Sequence, residues 1–147
     1  MAELDLTIDR VFQAPVGQVF ALWADAAHRR HWWAPRGFRC AEFTHDFAVG
    51  GVWQARLEGL ESGNSLWMGG AYHAIEKNAR IAFDFAWLEA GTTPGARSLI
   101  TVTFSAEAGR TRQSFHQAAF ATATARDQHE EGWSECLDRL ARLFEAG

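Results

Sequence analysis

Cysteine, tyrosine and clustered charge are all scarce in this chain of 147 residues. The two cysteines, Cys40 and Cys136, stand far apart and form no metal-type or redox-type pair. They read as two free core thiols, as in a cytoplasmic protein. No stretch is long and apolar enough to span a bilayer, and the opening residues, MAELDLTIDRVF, alternate polar and apolar types where a secretion signal needs an unbroken apolar run. The expected location is the cytoplasm. A net charge of −4 with scattered basic residues, Arg29-Arg30 being the only adjacent pair, excludes an electrostatic footing for nucleic acid or an anionic membrane.

Catalytic and cofactor signatures are equally thin. Gly50-Gly51 and Gly69-Gly70 are isolated pairs, with no phosphate loop or dinucleotide turn around them. No serine or cysteine sits in a nucleophile elbow. His28-x-x-His31 could put two imidazoles on one helical face, yet no third ligand is fixed and Arg29 and Arg30 between them would repel a cation. That segment is expected to be a solvated surface helix. Neither cofactor nor metal is expected.

What the chain does have is aromatic bulk: seven Trp and eleven Phe against one Tyr, with 48% hydrophobic residues overall. That is enough for the core of one domain spanning residues 1–147. The rings must fill that core or line a cavity within it.

Periodicity places them. Leu4, Leu6, Ile8 and Val11-Phe12 predict a first strand, interrupted at Ala14-Pro15. Pro15 starts a helix with a Val16, Val19, Phe20, Trp23 stripe, and a second short helix runs from Ala26 to about Trp33, ending before Pro35. From Phe38 the period switches to two. Strands are predicted over Phe38–Phe47, around Trp53–Leu57, over Leu66–Ile75, around Ile81–Trp87, around Ile100–Phe104 and over Arg110–Phe120. Val49-Gly50-Gly51 and Glu61–Asn64 are turns, and Glu89–Arg97 is the longest loop. A long amphipathic helix over Asp127–Phe144 closes the chain, with His129, Trp133, Cys136, Leu137, Leu140 and Phe144 on one face. Thr124-x-x-Asp127 resembles a capping box at its start. About six consecutive antiparallel strands with segregated helices make the class α+β.

In its motifs and their order, the chain resembles the helix-grip superfamily of START-like (SRPBCC) proteins, and within it the Hsp-ninety ATPase activator homologue (AHSA-type) domains. The matching residues are Ala14-Pro15 before Phe20 and Trp23, Trp32-Trp33-x-Pro35, Asp46-x-x-Val49-Gly50-Gly51-x-Trp53, Gly70-x-Tyr72, Arg80-Ile81, and His129-x-x-Gly132-Trp133 with Leu137 and Leu140. The resemblance implies a curved antiparallel sheet of six to seven strands wrapped around the C-terminal helix, two short helices after the first strand, and a cavity between sheet and helix. The eukaryotic co-chaperone carries a further N-terminal domain that nothing here matches, so a chaperone role ranks last. Gln113 and Gln117 on the last strand argue against a wholly lipid-like lining.

The cavity candidates are Trp53, Trp67, Tyr72, His73, Phe83, Phe85, Trp87, Phe115, His116, His129 and Trp133. For each Trp, ordinary core packing is the competing reading. Of Tyr72 and His73, and of Phe115 and His116, adjacent strand positions send one inward and one outward, and parity alone does not decide which. His129, one turn before Trp133, faces the same concave space. Asp84, between Phe83 and Phe85, is expected to face outward. Gly132 costs its helix about 1 kcal/mol relative to Ala; close helix–sheet packing is the expected reason, and room for a ligand the other.

No catalytic constellation emerges, so a domain binding a small apolar or aromatic molecule is expected ahead of an enzyme. A polyketide cyclase or aromatase would require His129, Tyr72 or His73, and His116 to converge on one pocket. A homodimer is left open.

Overall fold

Alternation of inward and outward side chains runs through nearly every strand and defines an inner face of the sheet. The computed structural model describes residues 4–89, 93–94, 97–120 and 122–145. In β1 (Asp5–Phe12), Leu6, Ile8 and Phe12 are buried. Pro15 precedes α1 (Val16–Ala24), whose Val19, Phe20 and Trp23 point into the core. Asp25 caps α2 (Ala26–Arg29) by accepting the Ala27 N–H at 2.8 Å. Then come β2 (Phe38–His45), β3 (Val52–Gly59), β4 (Ser65–Glu76), β5 (Arg80–Glu89), the two-residue β6 (Thr93–Pro94), β7 (Ser98–Glu107) and β8 (Arg110–Ala118). α3 (Ala123–Glu145) closes the chain.

Every pairing is antiparallel, in the order β1-β8-β7-β5-β4-β3-β2, with β6 beside β5. Because β1 pairs with β8, the first strand lies against the last, and the seven-stranded sheet curls around its inner face. Register shifts between Cys40 and Glu42 and between Tyr72 and Ala74 let β2 and β4 bend. The architecture is the expected α+β helix-grip arrangement. Against the inner face, α1 and the segment after α2 deliver Trp23, Trp32 and Trp33, while α3 delivers Trp133. The rings meet edge-on or tilted, Trp23 on Trp32 at 4.7 Å, Trp33 on Trp133 at 4.9 Å and Phe115 on Trp133 at 5.2 Å. Such geometries suit the quadrupoles of aromatic rings.

Four boundaries differ from the sequence expectation. α2 ends at Arg29 rather than near Trp33, and turns carry the chain on to Pro35. α3 begins at Ala123, four residues before Asp127, because Thr122 caps it: its hydroxyl accepts the Ala125 N–H at 3.1 Å. Thr124 and Asp127 therefore lie inside the helix and form no capping box. β2 stops at His45 and β8 at Ala118, each two residues short of the Phe expected to end it. Much of the Glu89–Arg97 loop lies outside the described residues, and within it Thr93 and Pro94 pair with β5.

The two buried glutamines have a packing role. Gln113 Oε1 accepts the Trp23 indole N–H at 2.9 Å and Gln117 Oε1 accepts that of Trp133 at 2.7 Å. Each gives a buried tryptophan the acceptor that burial demands.

Candidate functional site

Gly132 is the point from which the site is built. A Cβ added there would meet only Pro35 Cβ, at 3.8 Å, an ordinary contact. Close helix–sheet packing is therefore not what the glycine serves, contrary to the sequence expectation. It lies instead along a cleft of about 350 Å³ between the N-terminal half of α3 and strands β3 to β5. On the helix side stand Gln128, His129, Gly132, Trp133 and Cys136, joined by Trp33-Ala34-Pro35. On the sheet side stand Leu57, Leu66, Met68, Phe85 and Trp87. None of these side chains carries a formal charge.

At the mouth, Trp87 and His129 reach across from sheet to helix, and the Trp87 indole N–H donates to His129 Nε2 at 3.2 Å. That bond fixes the neutral tautomer, with the proton on Nδ1. Burial lowers the His129 pKa, so the ring is neutral near pH 7. Phe85, Trp87 and Phe120 all pack edge-on against the imidazole, at 5.5, 5.8 and 5.0 Å. Cys136, fully covered, has its thiol pKa driven up by burial, which leaves it a poor nucleophile.

The eleven cavity candidates separate into three groups. Phe85, Trp87, His129 and Trp133 line the cleft. Trp53, Tyr72, Phe83 and Phe115 are buried on the same inner face but outside the cleft lining, as core. Trp67, His73 and His116 are on the outer face, so the structure does not bring them to the cavity. Trp67 lies beneath the Arg56 guanidinium at 5.8 Å, and His116 pairs with Asp5 at 2.9 Å. His73 Nε2 bonds Asp84 at 2.6 Å, which also holds Arg97 at 3.2 Å, so Asp84 is an outer-face ion-pair hub. Tyr72, in unbroken register with inward Met68 and ahead of the bulge, is the inward one, and alternation in β8 makes Phe115 inward. The convergence a cyclase would need is absent: of the polar side chains it requires, only His129 lines the cleft.

One group escaped the sequence reading altogether. Arg29, expected on a solvated helix face, is fully buried. Its Nε donates to the Trp23 carbonyl at 2.7 Å and its Nη2 to the Tyr72 hydroxyl at 3.3 Å. Trp23, Trp33 and Phe43 surround the guanidinium with centroids 4.9, 4.7 and 4.6 Å away. Tyr72 in turn donates to His45 Nδ1 at 2.7 Å, since the guanidinium can only donate. Burial, with Arg29 nearby, pushes the His45 pKa down to about 4. The overlooked signal is spacing: Arg29 precedes Trp32 and Trp33 by three and four residues, the separation that shares a helical face.

Comparison with known proteins agrees with this picture. Residues 13–145 match the family described as Activator of Hsp90 ATPase homolog 1-like protein. No curated protein matches the chain. Among solved structures, a protein from Chromobacterium violaceum is 25% identical with a TM-score of 0.85, covering 96% of this chain and 97% of that one. A protein from Rhizobium leguminosarum is 29% identical, with a TM-score of 0.79 over 99% and 97% of the two chains. The AHSA1 protein of Silicibacter pomeroyi, 24% identical, has a TM-score of 0.85 over 97% and 98%.

Proposed function

The chain belongs to the Activator of Hsp90 ATPase homolog 1-like family, and from that premise we propose that it binds a small apolar or aromatic molecule between the sheet and α3. The fold is one that commonly holds hydrophobic ligands. The observation that carries the reading is Gly132, a residue that weakens its own helix while no neighbouring backbone requires its small size. Space kept at such a position makes sense if something else fills it. The cleft volume lies in the range typical of small-molecule sites, and its walls are largely apolar. No helix among the described residues is long and apolar enough to cross a membrane. We take the setting to be cytoplasmic, a reading the two free buried thiols support.

Native mass spectrometry after mild purification, followed by tryptophan-fluorescence titration with naphthalene, tests the proposal. The wild type is expected to bind, and Gly132→Leu, which fills the cleft, is expected to lose binding while keeping its melting temperature. Equal binding by both proteins, or none by the wild type, would sink it.

A further inference from the structure

The walls of the cleft contain more hydrogen-bond donors than acceptors. Trp133 Nε1 is already satisfied by Gln117, and Trp87 Nε1 by His129. Apart from the exposed amide of Gln128, two donors are left over. His129 Nδ1–H, fixed by the bond its Nε2 accepts, has no protein partner among the described residues. Trp33 Nε1 is buried, also without an acceptor. A buried donor without a partner leaves its desolvation uncompensated, by about 1–3 kcal/mol. Trp33 Nε1 is such a donor; the half-buried His129 offers a second N–H at the mouth, and together they favour a guest that brings lone pairs.

Charge narrows the guest further. The lining holds no Lys, Arg, Asp or Glu, so an ionised ligand would surrender its hydration without meeting a counter-ion. The buried cation nearest in kind, Arg29, is enclosed by Trp23, Trp33 and Phe43 on its own side of the core and is not part of the lining. Meanwhile the rings of Phe85, Trp87 and Trp133 offer flat aromatic surfaces.

We infer that the cleft selects an uncharged, flat aromatic molecule bearing an acceptor oxygen, such as an aryl ketone, with that oxygen received by His129 Nδ1–H at the mouth or Trp33 Nε1–H further in. This rests on the binding role proposed above and assigns the ligand's chemical class. Whichever of these N–H groups receives the oxygen sets specificity as a donor, without a part in proton transfer.

Three probes of one shape separate the possibilities: naphthalene, acetonaphthone and naphthoate, titrated by tryptophan fluorescence at pH 7.5. Acetonaphthone is expected to bind about three- to tenfold more tightly than naphthalene, the range one net hydrogen bond supplies. Naphthoate is expected to bind more weakly than either. His129→Phe, made together with Trp87→Phe so that the Trp87 N–H it accepts is not set free, keeps the aromatic packing and removes one donor. Trp33→Phe removes the other. Each variant's melting temperature and its naphthalene affinity report whether fold and cleft are intact. One of the two is expected to abolish the ketone's advantage, read as the ratio of ketone to naphthalene affinity within the same variant. Naphthoate binding as tightly as the ketone, or a ketone advantage that survives both variants, overturns the inference and leaves the cleft's binding role standing. Failure of naphthalene and ketone alike overturns both.

Discussion

The indole N–H of Trp133 donates to Gln117 Oε1 at 2.7 Å, tying α3 to β8 beside the cleft. The same glutamine's amide nitrogen donates to Ser98 Oγ at 2.8 Å, extending the link to the start of β7. Gln117 is fully buried, and its bond to Trp133 is made out of reach of water.

Replacing Gln117 with Leu should therefore destabilise the protein although the new side chain is apolar. It strands the Trp133 N–H in the core, at a cost of about 1–3 kcal/mol. For a domain of this length each kcal/mol corresponds to roughly 2–4 °C in Tm. Calorimetry should show a drop of several degrees. An unchanged Tm would mean that the indole finds another acceptor.

Arg29 gives the second expectation. A buried guanidinium without a carboxylate partner is held by the Trp23 carbonyl, the Tyr72 hydroxyl and the surrounding rings. Lysine keeps the charge but cannot stack or reach both acceptors with a planar fork. Arg29→Lys should cost about 2 kcal/mol or more in urea unfolding. If the variant were as stable as wild type, the aromatic enclosure would contribute little and charge alone would account for the arginine.

These two networks also mark where sequence reading succeeds and where it stops. The alternation of Ile81, Phe83 and Phe85 announces β5 and its inner face, because large apolar residues at period two have only one side to be buried on. The stripe from Trp133 to Leu140 announces α3 in the same way. Arg29 is not legible by hydropathy, since its burial depends on Tyr72 and on Phe43, both distant in the chain and brought near only by the folded sheet. Tyr72 and His73 are undecidable by parity because the bulge between Tyr72 and Ala74 keeps Tyr72 in phase with Met68 but out of phase with Ile75, and a bulge leaves no clear mark in composition. At the cleft, Phe85, Trp87, His129 and Trp133 follow from periodicity. The acceptor role of Gln117 does not, because a polar residue at an inward position looks like a flaw until its partner is known.

His45 makes stability depend on pH. It accepts from Tyr72 as the neutral imidazole, and burial first, then Arg29, lowers its pKa to about 4 in the folded protein. The unfolded chain retains an ordinary value near 6.5. Between those two values the unfolded state binds more protons, so the stabilising contribution is present above about pH 6.5 and is lost as pH falls towards 4. The ring is only half-buried, and water screening trims the size of the effect. Urea unfolding of wild type and His45→Gln at several pH values isolates it, because the carboxylates titrate alike in both. The stability difference should move against the wild type on acidification, and a difference independent of pH would remove His45 as the cause.

Gly132 separates structural from ligand-related explanations most cleanly. A tightly packed glycine is destabilised by any added carbon, whereas here a Cβ meets only Pro35 Cβ at 3.8 Å. Alanine in a helix interior is favoured over glycine by about 1 kcal/mol. Gly132→Ala should therefore raise Tm by roughly 2–4 °C while shaving one methyl group's volume from the cleft. Leucine at the same position, reaching further across, should abolish naphthalene binding without a matching loss of stability. A protein that becomes more stable as its cleft is filled is one whose empty space has not been retained for folding. Destabilisation by alanine would reverse that conclusion and return Gly132 to a packing role.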